Sequence, residues 1–428
     1  MKIQIKNGRV IDPANKLDTK CDLFVMDGKI AAVGDAPAGF TPDRAIDATG
    51  LIVVPGLIDL AARLREPGFE YRATLESEMD AAMAGGVTSL ACPPDTDPPL
   101  DEPGLVEMLC FRAKNLNCAH VYPVGALTVG LKGQHITEMA ELVEAGCVAF
   151  GQSNTPITDT QVLLRAMQYA ATFGFRVWLQ PIDPFLSQGG VAHDGEVASR
   201  LGLTGIPVET ETVALATQLQ LARATGAKLH VTRLSSSAGL ALIERARAEG
   251  LDVTCDVAIH YLHLCEMDIG YFNPLCHLMP PLRSQRDRDA LRAGLRDGRI
   301  NAICSDHTPV DDDAKQMPFA ESGLGATGLE LLLPLTLKWA KEVGVPLSDA
   351  IARITSNAAE IMGITKGGHL APGARADVCI FDENAERIVT RESLKSQGKN
   401  TPFLGMPLPG IVRYTLVEGR IMFDQLAT

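Results

Sequence analysis

Histidine is the side chain best suited to chemistry near neutral pH, as a metal ligand or a proton carrier, and this chain has nine. Three of them gather with a thiol. His260, His263, Cys265 and His277 fall within AIHYLHLCEMDIGYFNPLCH, and His-x-x-His is a spacing that can hold zinc. No acid or second cysteine is placed to complete a ligand set, so the stretch reads as a loop of core and surface residues. His120, His135, His193 and His369 stand alone in loops or at strand starts. No G-x-S-x-G elbow marks a nucleophilic serine, and the glycines of GLGATG (323–328) lack the preceding strand that a phosphate loop needs. Ten cysteines are scattered singly with no C-x-x-C pair. Cys92, Cys304 and Cys379 lie inside apolar runs, where a reduced thiol behaves as a small hydrophobe, so we expect a reducing cytoplasm and no disulfide framework.

Such residues need elements to position them. Eight short apolar runs, each ending in polar or turn residues, recur at 51–64, 86–94, 120–128, 147–154, 175–181, 228–236, 251–260 and 300–309. Between most of them lie segments of helical period, such as TDTQVLLRAMQYAATFG, ETVALATQLQLARATG and AGLALIERARAEG, several closed by a glycine past the last turn. Eight strands alternating with helices predict an α/β fold, a (β/α)8 TIM barrel whose chemistry sits at the C-terminal ends of the strands; an open doubly wound sheet is the alternative. Both chain ends read instead as short strands joined by turns at NG, DP, DG and GD. We therefore expect a small β-sandwich domain formed by both termini (1–55 plus 376–428) around an inserted barrel (56–375).

The length of 428 residues leaves ample chain for a large core, and 46% hydrophobic with 21% charged residues is an ordinary globular composition. A net charge of −13 argues against nucleic acid and anionic membrane surfaces as partners. MKIQIKNGRVID alternates with period two, unlike a signal peptide, and no apolar run approaches the roughly 20 residues that span a bilayer. These features predict a soluble, cytoplasmic protein.

The runs GLIVVPGLIDLAARLREPG, AGGVTSLACPPDTDP, GGVAHDGEVASRLGLTGIP, MPPLRSQRDRDAL, ICSDHTP, TSNAAEIMGI and APGARADVCIFD, in this order, resemble the dihydroorotases of the amidohydrolase superfamily over nearly the whole chain. The resemblance implies a barrel with a flanking β-sandwich and zinc-assisted interconversion of dihydroorotate and carbamoyl aspartate, in which metal polarises the ring carbonyl and activates water. It also implies six metal-ligand positions. The family's H-x-H pair falls on Ala61 and Arg63, its bridging carboxylate near Gln152, its single histidines on Gln180 and Arg233, and its aspartate on Asp306. Alanine has no donor atom, arginine is cationic, a primary amide is a feeble zinc ligand, and His230 is displaced from the expected position. Of the six, only Asp306 keeps a ligand's chemistry, so no metal and no cofactor are expected.

The family's substrate pocket carries over in part. Arg65 matches the arginine used on the substrate carboxylate and His307 the histidine after the strand 8 aspartate, whereas Asp95 and Met279 replace two asparagines. A carboxylate at 95 is expected to repel an acidic substrate. With Arg63 and Arg233 pointing into the mouth, we expect at least one guanidinium to pair with Asp306, because buried charge must be balanced. The resemblance extends to noncatalytic dihydroorotase-like subunits, which associate with aspartate carbamoyltransferase and support its assembly. From this we expect a pseudoenzyme in pyrimidine biosynthesis, with Arg65, Asp95, Met279, Asp306 and His307 vestigial, the transcarbamoylase chain as partner, and self-association as a homodimer. Two alternatives stand beside it: an active zinc-dependent cyclic amidohydrolase with a rearranged metal site, and a metal-free protein that binds a pyrimidine precursor.

Overall fold

The structure, a computed structural model, describes residues 1–425. Alternating apolar and polar residues form the opening strands β1 (Lys2–Asp12), β2 (Leu17–Met26), β3 (Lys29–Val33), β4 (Arg44–Asp47) and β5 (Ile52–Pro55). The eight apolar runs follow as β6 (Leu57–Asp59), β7 (Val87–Cys92), β8 (His120–Ala126), β9 (Ala149–Gly151) and β10 (Arg176–Leu179), and, after a minor pair β11 (Ala192–His193) and β12 (Gly205–Ile206), as β13 (Lys228–Val231), β14 (Val253–Ala258) and β15 (Ala302–Cys304). The chain ends with β16 (Val378–Ile388), β17 (Pro407–Val417) and β18 (Arg420–Asp424).

Strands β6 to β10 and β13 to β15 pair in parallel in chain order, a nearly closed eight-stranded barrel. Parallel strands covered on both faces read as continuous apolar runs, which is why these segments show little alternation. No ladder joins β15 to β6. Residues just past the two strands close the ring instead, through a parallel bridge of Ala62 to His307. In it Arg63 N–H donates to the His307 carbonyl (2.9 Å) and His307 N–H to that of Ala61 (3.0 Å).

Helices wrap the barrel where the 3.6-residue period predicted them, among them Thr160–Phe173, Glu209–Thr225 and Ser237–Ala248. Side chains fix several starts: Asp159 accepts from the Gln161 and Val162 amides, and Ser236 from that of Gly239.

The additional β-domain is one hydrogen-bonded sheet in the order β18-β17-β16-β5-β1-β2-β3, with β4 also on β1. Its two faces separate by residue parity. Val53, Val378 and Ile380 join a small core with Ile3, Ile5, Leu23 and Val25, while Ile52, Val54, Cys379 and Phe381 pack into the barrel's core. Gly86 sits at that contact with φ +77°, and a Cβ there would stand 2.5 Å from Cys379 Sγ.

Candidate functional site at the barrel mouth

The C-terminal ends of β6, β10, β13 and β15 bring Arg63, Gln180, Arg233 and Asp306 together, all buried. Both guanidiniums reach the same carboxylate oxygen: Arg63 Nη1 and Arg233 Nη1 each lie 3.1 Å from Asp306 Oδ1. The ion pair expected from residue types is therefore present twice. Arg63 also donates through Nε to Asp95 Oδ2 (2.7 Å) and through Nη1 to Thr308 Oγ1 (2.9 Å). Arg233 Nη2 donates to Asn154 Oδ1 (2.9 Å) and to Gln180 Oε1. Burial works against the Arg63 charge, but Asp95 and Asp306 outweigh it and hold the guanidinium above its ordinary value. Burial likewise pushes the Asp95 carboxyl up, and Arg63 with its hydrogen bond more than reverses this, leaving it below the usual carboxylate range. Asp95 is thus engaged by an arginine; it does not stand free to repel a ligand. Arg65, Arg233 and Asp306 all adopt positive φ (64°, 55° and 46°), a conformation costly for residues with a Cβ and concentrated here around one cluster.

The other predicted positions divide. Ala61 lines the mouth beside Arg63. Gln152 turns away: its Nε2 donates to Thr128 Oγ1 (2.8 Å) and the Leu131 carbonyl (2.9 Å). Met279 is half-buried. Arg65 is buried, donates through Nε to the Pro309 carbonyl (2.9 Å), and lies over the Phe69 ring. Burial first, and then the Arg63 charge, lower its pKa to about 10, so it stays cationic at neutral pH.

His307 is held from three sides. Its Nδ1 accepts from the Gly328 and Leu329 amides (3.2 and 3.3 Å), which leaves Nε2 to carry the proton and donate to Glu78 Oε2. Sequence reasoning missed Glu78, a buried acid 229 residues away on the helix Leu75–Ala84. It also missed Asp59, whose carboxylate takes the Ser305 amide (2.8 Å) and hydroxyl across the same closure. Below the mouth, Asp256 Oδ2 bonds to His230 Nε2 (2.9 Å) while its Oδ1 accepts the Arg233 amide (2.7 Å). The displaced His230 therefore supports the loop that carries Arg233. The acids in GLIDL and TCDV were visible as charges in apolar runs, but their partners lie too far along the chain to be inferred.

The histidines near Cys265 serve packing and local hydrogen bonds, except that both ring nitrogens of buried His260 lack a hydrogen-bond partner among the described residues. His260 stacks on Phe403, His263 donates through Nε2 to the Leu335 carbonyl (2.9 Å), and His277 bonds Ser322 through Nδ1. Among the described residues no three His, Cys, Asp or Glu side chains gather as a metal-ligand set. The zinc that the fold implies does not fit the mouth. One carboxylate faces two guanidiniums where several neutral or anionic donors are needed. All ten cysteines are free thiols, and no described helix is long and apolar enough to cross a membrane.

A nearly closed parallel barrel with a β-domain from both chain ends and a polar cluster at the C-terminal mouth defines an amidohydrolase-type protein. A dihydro-orotase-like family model matches residues 50–238 and an amidohydrolase family model residues 337–423. The chain is 44% identical over 424 residues to a dihydroorotase-like protein of Pseudomonas aeruginosa, covering 99% of this chain and 100% of that protein. It is 39% identical over 426 residues to a dihydroorotase of Syntrophus aciditrophicus, again covering 99% and 100%. Among solved structures, the L-hydantoinase of Arthrobacter aurescens superposes with a TM-score of 0.89 at 26% identity, over 99% of this chain and 96% of that one. The chain belongs to the dihydroorotase-like family.

These likenesses correct one expectation. The chain was expected not to be an enzyme, yet relatives of 38–39% identity, matched end to end, are named dihydroorotase, and the structure that superposes at 26% identity is an L-hydantoinase. Five of the six family ligand positions have changed, but the same chemistry can be built from other residues, so that change does not by itself exclude an enzyme.

Proposed function

We propose that this protein works at the dihydroorotate step of pyrimidine biosynthesis: its mouth takes a dihydroorotate-type cyclic amide, and the chain associates with aspartate carbamoyltransferase, whose assembly it supports. Arg65 carries the first half. Its Nε is engaged by the Pro309 carbonyl, and its two Nη groups meet no acceptor among the described residues, which leaves a planar fork suited to a carboxylate on a buried side chain. Arg63 and Arg233 are occupied by Asp306, Asp95 and Gln180, so they shape the wall and compete less for the ligand. The partner rests on the resemblance to transcarbamoylase-associated dihydroorotase-like chains and on the end-to-end match with dihydroorotase-like proteins.

Calorimetric titration with dihydroorotate and carbamoyl aspartate tests the first half. Saturable binding of either, weakened about tenfold or more by Arg65→Ala, supports it; no binding, or binding indifferent to that change, overturns it. Ring opening and closure are assayed in the same samples with added zinc and with chelator. Turnover that chelator abolishes points to a rearranged metal site, and turnover that survives it assigns the chemistry to the side chains of the mouth. Co-purification with the transcarbamoylase chain, and a rise in carbamoyl transfer when the two are mixed, test the partnership.

A further inference from the structure

Beside the arginine cluster, between the loops after β9 and β10 and the helix Glu209–Thr225, lies a separate cavity of about 120 Å³. Three glutamines line it: Gln152, whose amide is spent on Thr128 and the Leu131 carbonyl, and Gln180 and Gln218 at 5% and 7% exposure. Each of the last two amides is oriented by a partner that allows one arrangement only. Arg233 Nη2 can only donate, so it fixes Gln180 Oε1 toward itself and leaves Nε2 on the other side. The Gln180 backbone carbonyl can only accept, so it fixes Gln218 Nε2 toward itself at 3.3 Å and leaves Oε1. Both remaining atoms, Gln180 Nε2 and Gln218 Oε1, are buried and without a protein partner, as is Ser153 Oγ on the same wall.

Buried polar atoms left unmet cost free energy, so a group that completes them is favoured. Ile157, Leu163, Leu179 and Ile182 supply apolar wall, and Thr158, Thr160 and Thr217 add hydroxyls. The one charged lining residue, Asp183, is already engaged, its Oδ1 accepting the Phe185 and Leu186 amides at 3.0 and 2.9 Å. One unmet donor and one unmet acceptor beside apolar side chains, with Asp183 as a nearby negative charge, match a neutral carboxamide. Its carbonyl accepts from Gln180 Nε2 and its N–H donates to Gln218 Oε1. A carboxylate would satisfy the first contact and meet the second with an acceptor against an acceptor.

We propose that this side pocket binds a small uncharged primary carboxamide on an apolar stem. The site is distinct from the Arg65 fork and does not depend on it. The space also suffices for several waters, since one needs only about 10–15 Å³ of such volume, so water is the competing occupant. Acetamide, isobutyramide and benzamide, each against its matching carboxylate, are titrated into the full-length protein by calorimetry. At least one amide saturating where its carboxylate does not supports the proposal, and Gln218→Leu then weakens it about tenfold or more, as loss of a buried hydrogen bond does. No saturable amide binding means the cavity holds water only and overturns the proposal, as does carboxylate binding of equal strength or Gln218→Leu binding like the parent. The amide-against-acid comparison needs no variant, so it decides the matter even where Gln218→Leu folds poorly. Dihydroorotate titrated alongside, in the parent and in Arg65→Ala, reports the mouth separately.

Discussion

Asp306 accepts two guanidiniums on one oxygen; Arg63 has a second carboxylate in Asp95, whereas the other partners of Arg233 are the neutral amides of Asn154 and Gln180. Removing the carboxylate leaves Arg233 buried without its counter-ion and beside a second guanidinium. Asp306→Ala should therefore cost about 3–5 kcal/mol in urea unfolding, the range for breaking a buried pair. Replacing Arg63, Asp95, Arg233 and Asp306 together by Met, Asn, Met and Leu should cost far less or stabilise, because the desolvation penalty leaves with the charges. A single variant within 1 kcal/mol of the parent would show that the cluster is solvated. Asp59 gives a pH signature. Burial raises its pKa to about 6, against the opposing Ser305 hydroxyl and the Ser305 and Ala61 amides. A raised folded pKa means stability is fullest below the unfolded value near 4 and declines as pH rises toward 6, by up to about 3 kcal/mol. Asp59→Asn should lack that decline, so its advantage over the parent grows between pH 4 and pH 6 in denaturant titrations and is flat above. At this scale residue types were informative and partners were not. The Arg63–Asp306 pairing followed from charge alone, but nothing in PPDTDP announced that Asp95 would neutralise Arg63, and the Glu78 carboxylate meets His307 only after the ring closes.

Elements were more legible than contacts. Each apolar run contains one barrel strand, because burial on both faces demands uninterrupted apolar sequence and leaves a plain mark. The strands at the chain ends show parity instead, and parity separates two faces without saying what covers each. That Phe381 and Cys379 would meet the barrel while Val378 and Ile380 formed a second core required the fold. Phe381 is fully buried at this contact, so Phe381→Ala should cost about 3–5 kcal/mol, measured by thermal or urea unfolding. Gly86→Ala should also destabilise, by about 1–3 kcal/mol, since the new methyl meets Cys379 Sγ in a backbone conformation that disfavours side chains. Both variants should leave dihydroorotate affinity unchanged at temperatures where the protein stays folded.

For the whole molecule, charge balance within the mouth has a consequence for metal dependence. A protein whose fold relies on a bound ion loses stability when the ion is stripped, because ligand binding adds to the folding free energy. Here the arginines supply the positive charge, so exhaustive chelation should leave the melting temperature unchanged; a clear drop would reveal a metal site built from other residues.

The ring of strands has one joint made by loops. Asp59 to Ser305, Ala62 to His307 and Arg63 to Asp306 form three successive stitches across it, and every other neighbouring pair of barrel strands is held by a ladder. A hoop fastened at one point opens there first. Slow amide exchange should find the Arg63, Ser305 and His307 hydrogens released together, ahead of those in β7 to β10, so the place where charge is locked is also the place where the molecule can breathe.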